Sequence, residues 1–199
     1  RQRQMCIRDR LRTVRHLIVL LFLGLLSGCV TNQLHFASYS TPAQLEAIKS
    51  RVIQADIVNV VGAESCTRCS ESSKVVWHAA NYNVGLYEGF AAVPVDDWLE
   101  FARLSVGSSS EAPLKTTVEI DRVFVKTWNS PEYYACEVSL TVDIGGTRYA
   151  GWSRLKLKEP GQRLISQERA SLNGEVLSTV GLALKAAYID ALDKSKSAH

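Results

Sequence analysis

The sequence has no uninterrupted apolar stretch long enough to cross a bilayer. The longest, Leu17–Leu26, reaches about half of the roughly 20 residues that a spanning helix needs. There is no glycine-rich phosphate loop, and neither Ser153 nor Ser178 lies in the elbow motif of serine hydrolases. We also find no internal repeat and no second hydrophobic core. The chain is therefore expected to form one globular domain.

A strong excess of one charge is also missing once the N-terminal segment is set aside. The whole chain has a formal net charge of +3, but its first 28 residues contain six basic side chains and one acidic side chain. The other 171 residues carry 17 basic and 19 acidic side chains, a net charge of −2. A weakly acidic domain has no electrostatic attraction for nucleic acid. We therefore predict no nucleic-acid partner.

The N-terminal segment has the features of a secretory signal. Arg10, Arg12 and Arg15 precede the apolar stretch, and small residues precede Cys29. The segment Leu26-Ser27-Gly28-Cys29 resembles the lipobox of bacterial lipoproteins. This resemblance implies cleavage before Cys29, a lipid on its sulfur and an acyl chain, such as palmitate, on its new N-terminus.

The same resemblance predicts the location and the organisation of the chain. Val30 stands where an Asp would retain the lipoprotein in the inner membrane, which implies sorting to the outer membrane, facing the periplasm. Several acyl chains anchor a protein stably to a bilayer, whereas one does so only marginally. We expect a signal peptide over 1–28, a lipidated tether over 29–40 and a single domain over 41–199. Residues 1–10 resemble a translated adapter sequence and are expected to be artefactual, so Cys6 is given no role.

Residues 41–199 predict an α+β domain. A capping-box pattern at Thr41–Gln44 predicts a helix over 42–53. The apolar side of this helix is expected to contain Leu45, Ile48 and Val52. A second helix is predicted over Pro94–Leu104, and its apolar side is expected to contain Trp98, Phe101, Ala102 and Leu104. Short strands are predicted at Ile57–Val61, which should be buried, and at Val75–Ala79. The stretch Asn81–Ala92 has no clear pattern.

The second half predicts an antiparallel meander followed by a long helix. Thr116–Thr127 alternates with a change of phase between Ile120 and Val123, which suggests a bulge or burial on both faces. The strand from Tyr134 to Ile144 turns at Gly145-Gly146 and returns over Thr147–Lys158. A final helix over Asn173–Lys194 is expected to cover one face of the meander.

The cysteines offer three interpretations. Cys66 and Cys69 form a single Cys-x-x-Cys motif in the polar loop Ala63–Ser73. The pair is a candidate structural disulfide, either with each other or with Cys136, because disulfides persist outside the cytoplasm. A thioredoxin-like redox pair would need a helix N-terminus to lower one thiol pKa. A closed metal site would need four Cys or His ligands, with His78 the nearest further candidate.

The remaining polar residues have structural explanations. Cys136 lies on the apolar side of its strand and is expected to be a core residue, and His78 is expected to be a histidine of the sheet. One strand face combines basic and aromatic residues, which indicates a solvated face or a contact with an anionic headgroup or a partner protein: Arg148, Trp152, Arg154, Lys156 and Lys158. We predict no catalytic residue, no metal ligands and no cofactor.

The order of elements over residues 40–195 resembles small envelope lipoproteins of the YajG type and the auxiliary lipoproteins of ABC-type transport systems. That resemblance implies a non-catalytic periplasmic module for binding, assembly or transport, with an envelope protein or a lipid as its partner. A lipid ligand would require a cavity between the helices and the sheet. The alternative from another class is a thiol–disulfide oxidoreductase or a metal-binding protein that uses Cys66 and Cys69.

Overall fold

A computed structural model describes residues 39–80, 89–129, 132–157 and 168–198. The predicted signal peptide, the lipidation site Cys29 and Lys158 lie outside these ranges. Residues Ser38–His199 belong to one compact unit. None of the described helices combines the length and apolar character that crossing a membrane requires.

The described part of the chain folds into three helices and six strands. In chain order they are α1 (Pro42–Ser50), β1 (Ala55–Val61), β2 (Val75–Ala80), β3 (Gly89–Ala91), α2 (Trp98–Val106), β4 (Leu114–Asn129), β5 (Glu132–Ile144), β6 (Thr147–Leu157) and α3 (Glu168–Ser197). The predicted α+β class, with a meander covered by a long C-terminal helix, is confirmed. β3 falls in the stretch Asn81–Ala92, which has no clear pattern in the sequence.

The long strand β4 organises the sheet. The order is β3-β2-β4-β5-β6, and β1 pairs with the first half of β4. Both β1 and β2 run parallel to β4, whereas β4, β5 and β6 form the predicted antiparallel meander. The phase change predicted either a bulge or burial on both faces, and both are present: the pairing of β4 with β5 shifts between Ile120 and Arg122, and Val123, Phe124 and Val125 are all buried. Gly145 and Gly146 adopt φ values of 59° and 88°, which suit the tight turn between β5 and β6.

The core lies between one face of this sheet and the helices α2 and α3. Alternate residues of β5 from Tyr134 to Val142 point into it, and Val180, Leu184 and Tyr188 of α3 pack against them. Gly151 lets α3 approach β6 closely. A Cβ at that position would overlap the backbone carbonyl oxygen of Ala187.

Helix α1 ends three residues earlier than predicted, and this changes the position of Val52. Arg51 leaves the helix with an extended backbone, and its guanidinium forms an ion pair with Asp193 of α3, with one N–O distance of 2.9 Å. Val52 therefore does not continue the apolar side of the helix and is 83% exposed. The helix itself contains no fully buried residue.

Helix α2 begins four residues later and ends two residues later than predicted. It begins after Asp97, whose carboxylate accepts hydrogen bonds from the backbone amides of Leu99 and Glu100. It ends at Gly107 in the left-handed conformation. Val106 is buried, whereas Leu104, predicted on the apolar side, is 75% exposed. The four residues before Trp98 are not helical because the capping carboxylate sets the start.

Strand β1 is only half-buried, which corrects the expectation of a buried strand. Ile57 has no exposed surface, but Val58 and Val61 face solvent. In the described sheet β1 pairs with β4 alone. Its outer side therefore has no neighbouring strand to cover it.

The outer edge of β6 is occupied by groups from other segments. Its Trp152 amide donates to the Asp190 carboxylate of α3, and the Lys194 ammonium donates to the carbonyl of Ala150. The amide of Ser40 donates to the carbonyl of Arg154. Three backbone groups that an edge strand would leave open therefore have partners.

Candidate functional site

Cys66 and Cys69 form a disulfide with each other. Their Cα atoms are 5.2 Å apart, in the loop between β1 and β2. A short turn follows, in which the Ser73 amide donates to the Ser70 carbonyl, and then β2 begins. The motif is thus not followed by the helix N-terminus that lowers the pKa of a redox-active cysteine. This geometry suits a structural disulfide.

Cys136 is a free thiol in the core, as predicted. It has no exposed surface and lies on the helix-covered face of β5. Burial, followed by the nearby Glu137 carboxylate, raises the pKa of the thiol far above its ordinary value. The thiolate is therefore not formed at physiological pH, and pairing with Cys66 or Cys69 is not observed.

His78 belongs to the sheet, on the face opposite the core helices. Its ring stacks on Phe90 of β3 with the centroids 4.4 Å apart. Burial and the neighbouring Lys126 lower its pKa, and Glu71 opposes this effect. The imidazole is therefore neutral at pH 7. Across the described ranges, no three His, Cys, Asp or Glu side chains come together as a metal site.

The face of β6 that looked basic in sequence is paired with acidic residues in the structure. Arg154 donates through Nε to the Glu137 carboxylate over 2.8 Å, and its guanidinium lies 5.0 Å from the centre of the Trp152 ring. Arg148 pairs with Glu119 of β4. Because these partners are on other strands, the sequence of β6 alone could not show them. The face therefore carries two ion pairs beside a half-exposed Trp152, and the Lys156 ammonium lies 5.5 Å from the centre of the Tyr39 ring.

A second polar cluster fastens α2 to the parallel strands. Asp56 of β1 is 4% exposed and meets Lys115 of β4 at 3.0 Å and Arg103 of α2 at 3.5 Å. Arg103 also donates to the carbonyl of Ile57 over 2.7 Å. Every charge in this cluster has a partner. We assign it a structural role, one that the separated residues did not reveal in the sequence.

A cavity of about 560 Å³ opens at the end of the sheet where α3 finishes. That volume lies within the roughly 300–1,000 Å³ of typical ligand pockets. Its lining comes from the segment after α1, the start of β4, the β5–β6 turn and the last turns of α3. The apolar part consists of Val52, Ile53, Leu114, Ile144, Tyr149 and Leu192, and Arg51 and Lys196 contribute positive charge. The sequence predicted that a lipid ligand would need such a space but could not locate it.

Comparisons with known proteins leave the function open. No family model and no curated protein sequence matches the chain. One solved structure, titled "Crystal structure of uncharacterized protein", is similar over 68% of this chain and 87% of its own, with 12% sequence identity and a TM-score of 0.33. A similarity of that size supports no functional argument.

Proposed function

We propose that the protein is a bacterial lipoprotein, anchored through an acylated Cys29 in the outer membrane, with a non-catalytic binding domain that faces the periplasm. The observation that carries the proposal is the lipobox-like segment Leu26–Cys29, which directly follows an arginine-rich region and an apolar stretch. A tether of about 12 residues separates this cysteine from the domain. The domain serves assembly or transport by binding an envelope protein or a lipid.

The arrangement of the downstream cysteines supports a binding module over an oxidoreductase. Cys66 and Cys69 are bonded in a loop without a helix N-terminus, and Cys136 is buried. Cys66 and Cys69 therefore lack the helix N-terminus that activates an attacking thiol in thioredoxin-like enzymes, and the Cys136 thiol is not accessible to a substrate. The disulfide itself is in keeping with an oxidising compartment such as the periplasm.

The anchor is tested by expressing the full chain in a diderm bacterium and analysing the purified protein by mass spectrometry. We expect a mature N-terminus at Cys29 with diacylglyceryl and acyl modification. Cys29→Ser should abolish the modification, whereas Cys136→Ser should leave it intact. Val30→Asp should move the protein from the outer to the inner membrane fraction. An unmodified Cys29 in mature protein would refute the anchor.

The class of activity is tested separately, with an insulin-reduction assay on the purified wild type and on Cys66→Ser/Cys69→Ser. We expect wild type and variant to be equally inactive. Photo-crosslinking in intact envelopes from a probe at the exposed Trp152 should give a discrete adduct with an envelope protein or a lipid. Reductase activity that depends on both cysteines would establish the oxidoreductase alternative instead.

A further inference from the structure

The cavity at the end of α3 has an apolar interior built from separate parts of the fold. Ile53 and Leu192 are almost fully buried in its wall, and Leu114, Ile144 and Tyr149 pack against the same core. The lining also includes three uncharged polar residues, Gln54, Thr147 and Ser195, but most of its surface is apolar. A ligand that fills the space would therefore place mainly hydrocarbon against this wall.

The mouth of the cavity carries an apolar side chain that no part of the described fold covers. Val52 lines the cavity and is 83% exposed. Exposed single valines are common, but this one adjoins an apolar space that continues inward. A bound chain that emerges from the cavity would cover Val52 and remove it from water.

Of the two cationic side chains at the mouth, Arg51 already has an acidic partner within the described part of the chain and Lys196 does not. The Arg51 guanidinium is held by Asp193 through two hydrogen bonds. Lys196, by contrast, makes no ion pair with any residue of the described ranges. Its ammonium is exposed and lies in the last turn of α3, where a carboxylate or phosphate outside the cavity can reach it.

We infer that this cavity binds one fatty acyl chain whose anionic end group pairs with Lys196 at the mouth. The hydrocarbon lies against the wall formed by Ile53, Ile144 and Leu192. The end group is a carboxylate or a phosphate, as in a free fatty acid or a lysophospholipid. This inference does not depend on lipidation of Cys29, because the ligand is held without a covalent bond.

The test uses the full chain carrying Cys29→Ser, so that any acyl chain detected is non-covalent. The probe is cis-parinarate, a fluorescent fatty acid, titrated and then displaced by palmitate, by a lysophosphatidylglycerol and by the uncharged methyl palmitate. We expect saturable binding and displacement by at least one anionic competitor in preference to the methyl ester. Which anionic competitor is stronger identifies the source of the end group.

Two pairs of variants locate the site. Ile144→Trp should fill the cavity and weaken parinarate binding at least about tenfold, whereas Leu104→Trp, on an exposed position of α2, should not. Lys196→Gln should weaken binding by about 1.4- to 5-fold, the effect of one exposed ion pair, whereas Lys194→Gln should leave it unchanged. Circular dichroism verifies that each variant is folded, and Lys196→Gln tests the site even if Ile144→Trp does not fold.

Several outcomes would overturn the inference. They are an absence of parinarate binding, equal displacement by methyl palmitate, and binding that neither Ile144→Trp nor Lys196→Gln alters. A dimer in sedimentation that Ile144→Trp dissociates would show that a second copy of the chain occupies the cavity instead.

Discussion

Replacing Gly151 by alanine tests how closely α3 packs on β6. In the structure the added Cβ would overlap the carbonyl oxygen of Ala187 and lie 3.0 Å from the Cβ of Ala191. The first of these is a backbone atom in the middle of α3, so it cannot turn aside as a flexible side chain would. The helix must move away from the strand, and packing along the whole contact is disturbed.

The expected cost of Gly151→Ala is that of overpacking a core, about 1–3 kcal/mol. For a domain of this size each kcal/mol lowers Tm by roughly 2–4 °C, which gives a fall of about 2–12 °C. The control is Gly174→Ala in α3, the helix that Gly151 faces, at a position where a Cβ meets nothing within 4 Å. That substitution should raise stability by about 0.4–1 kcal/mol, because alanine loses less backbone freedom on folding.

Thermal and urea unfolding followed by circular dichroism measure both variants. The opposite signs separate close packing from a general effect of removing a glycine. If Gly151→Ala were as stable as the wild type while Gly174→Ala were stabilised, α3 would not lie this near to β6, and the described packing would be wrong.

Three further perturbations have defined expectations. Cys66→Ser/Cys69→Ser should lower the free energy of unfolding by about 2 kcal/mol, since the closed loop is short, and an unchanged urea midpoint would contradict a stabilising disulfide. Asp97→Ala should cost about 1 kcal/mol through loss of the helix cap; thermal unfolding equal to that of the wild type would count against the cap. Burial lowers the pKa of His78 in the folded state, so the unfolded chain binds a proton more readily than the folded one. The contribution of the neutral His78 to the free energy of unfolding should therefore be full above pH about 6.5 and decline as the pH falls below that value. His78→Phe, which keeps an aromatic ring on Phe90, should flatten the urea midpoint between pH 7.5 and 5, and an unaltered pH dependence would refute this origin.

Features encoded by local patterns could be predicted from the sequence. The phase change between Ile120 and Val123 predicted a bulge or burial on both faces, because side chains alternate strictly along a strand, and the bulge lies at Asp121. Gly145-Gly146 predicted the turn, and the apolar alternation of β5 predicted a buried Cys136. Each of these signals lies within a few neighbouring residues.

Features that depend on distant partners could not be predicted in the same way. Val52 has helical spacing from Ile48, but α1 ends before it at Arg51, whose partner Asp193 is 142 positions away in the chain. The pairing of Arg154 with Glu137 requires the register of β6 on β5. The cavity likewise forms where four separate segments of the chain meet. The sequence contains its apolar lining residues but does not show that they come together around a space.

The occupied edge of β6 has a consequence for molecules at high density. A second chain could extend the sheet there only after displacing Ser40, Asp190 and Lys194 from the backbone groups they hold. At high local concentration, where copies of the chain meet far more often than in dilute solution, this occupied edge opposes strand-by-strand extension of the sheet into fibrils.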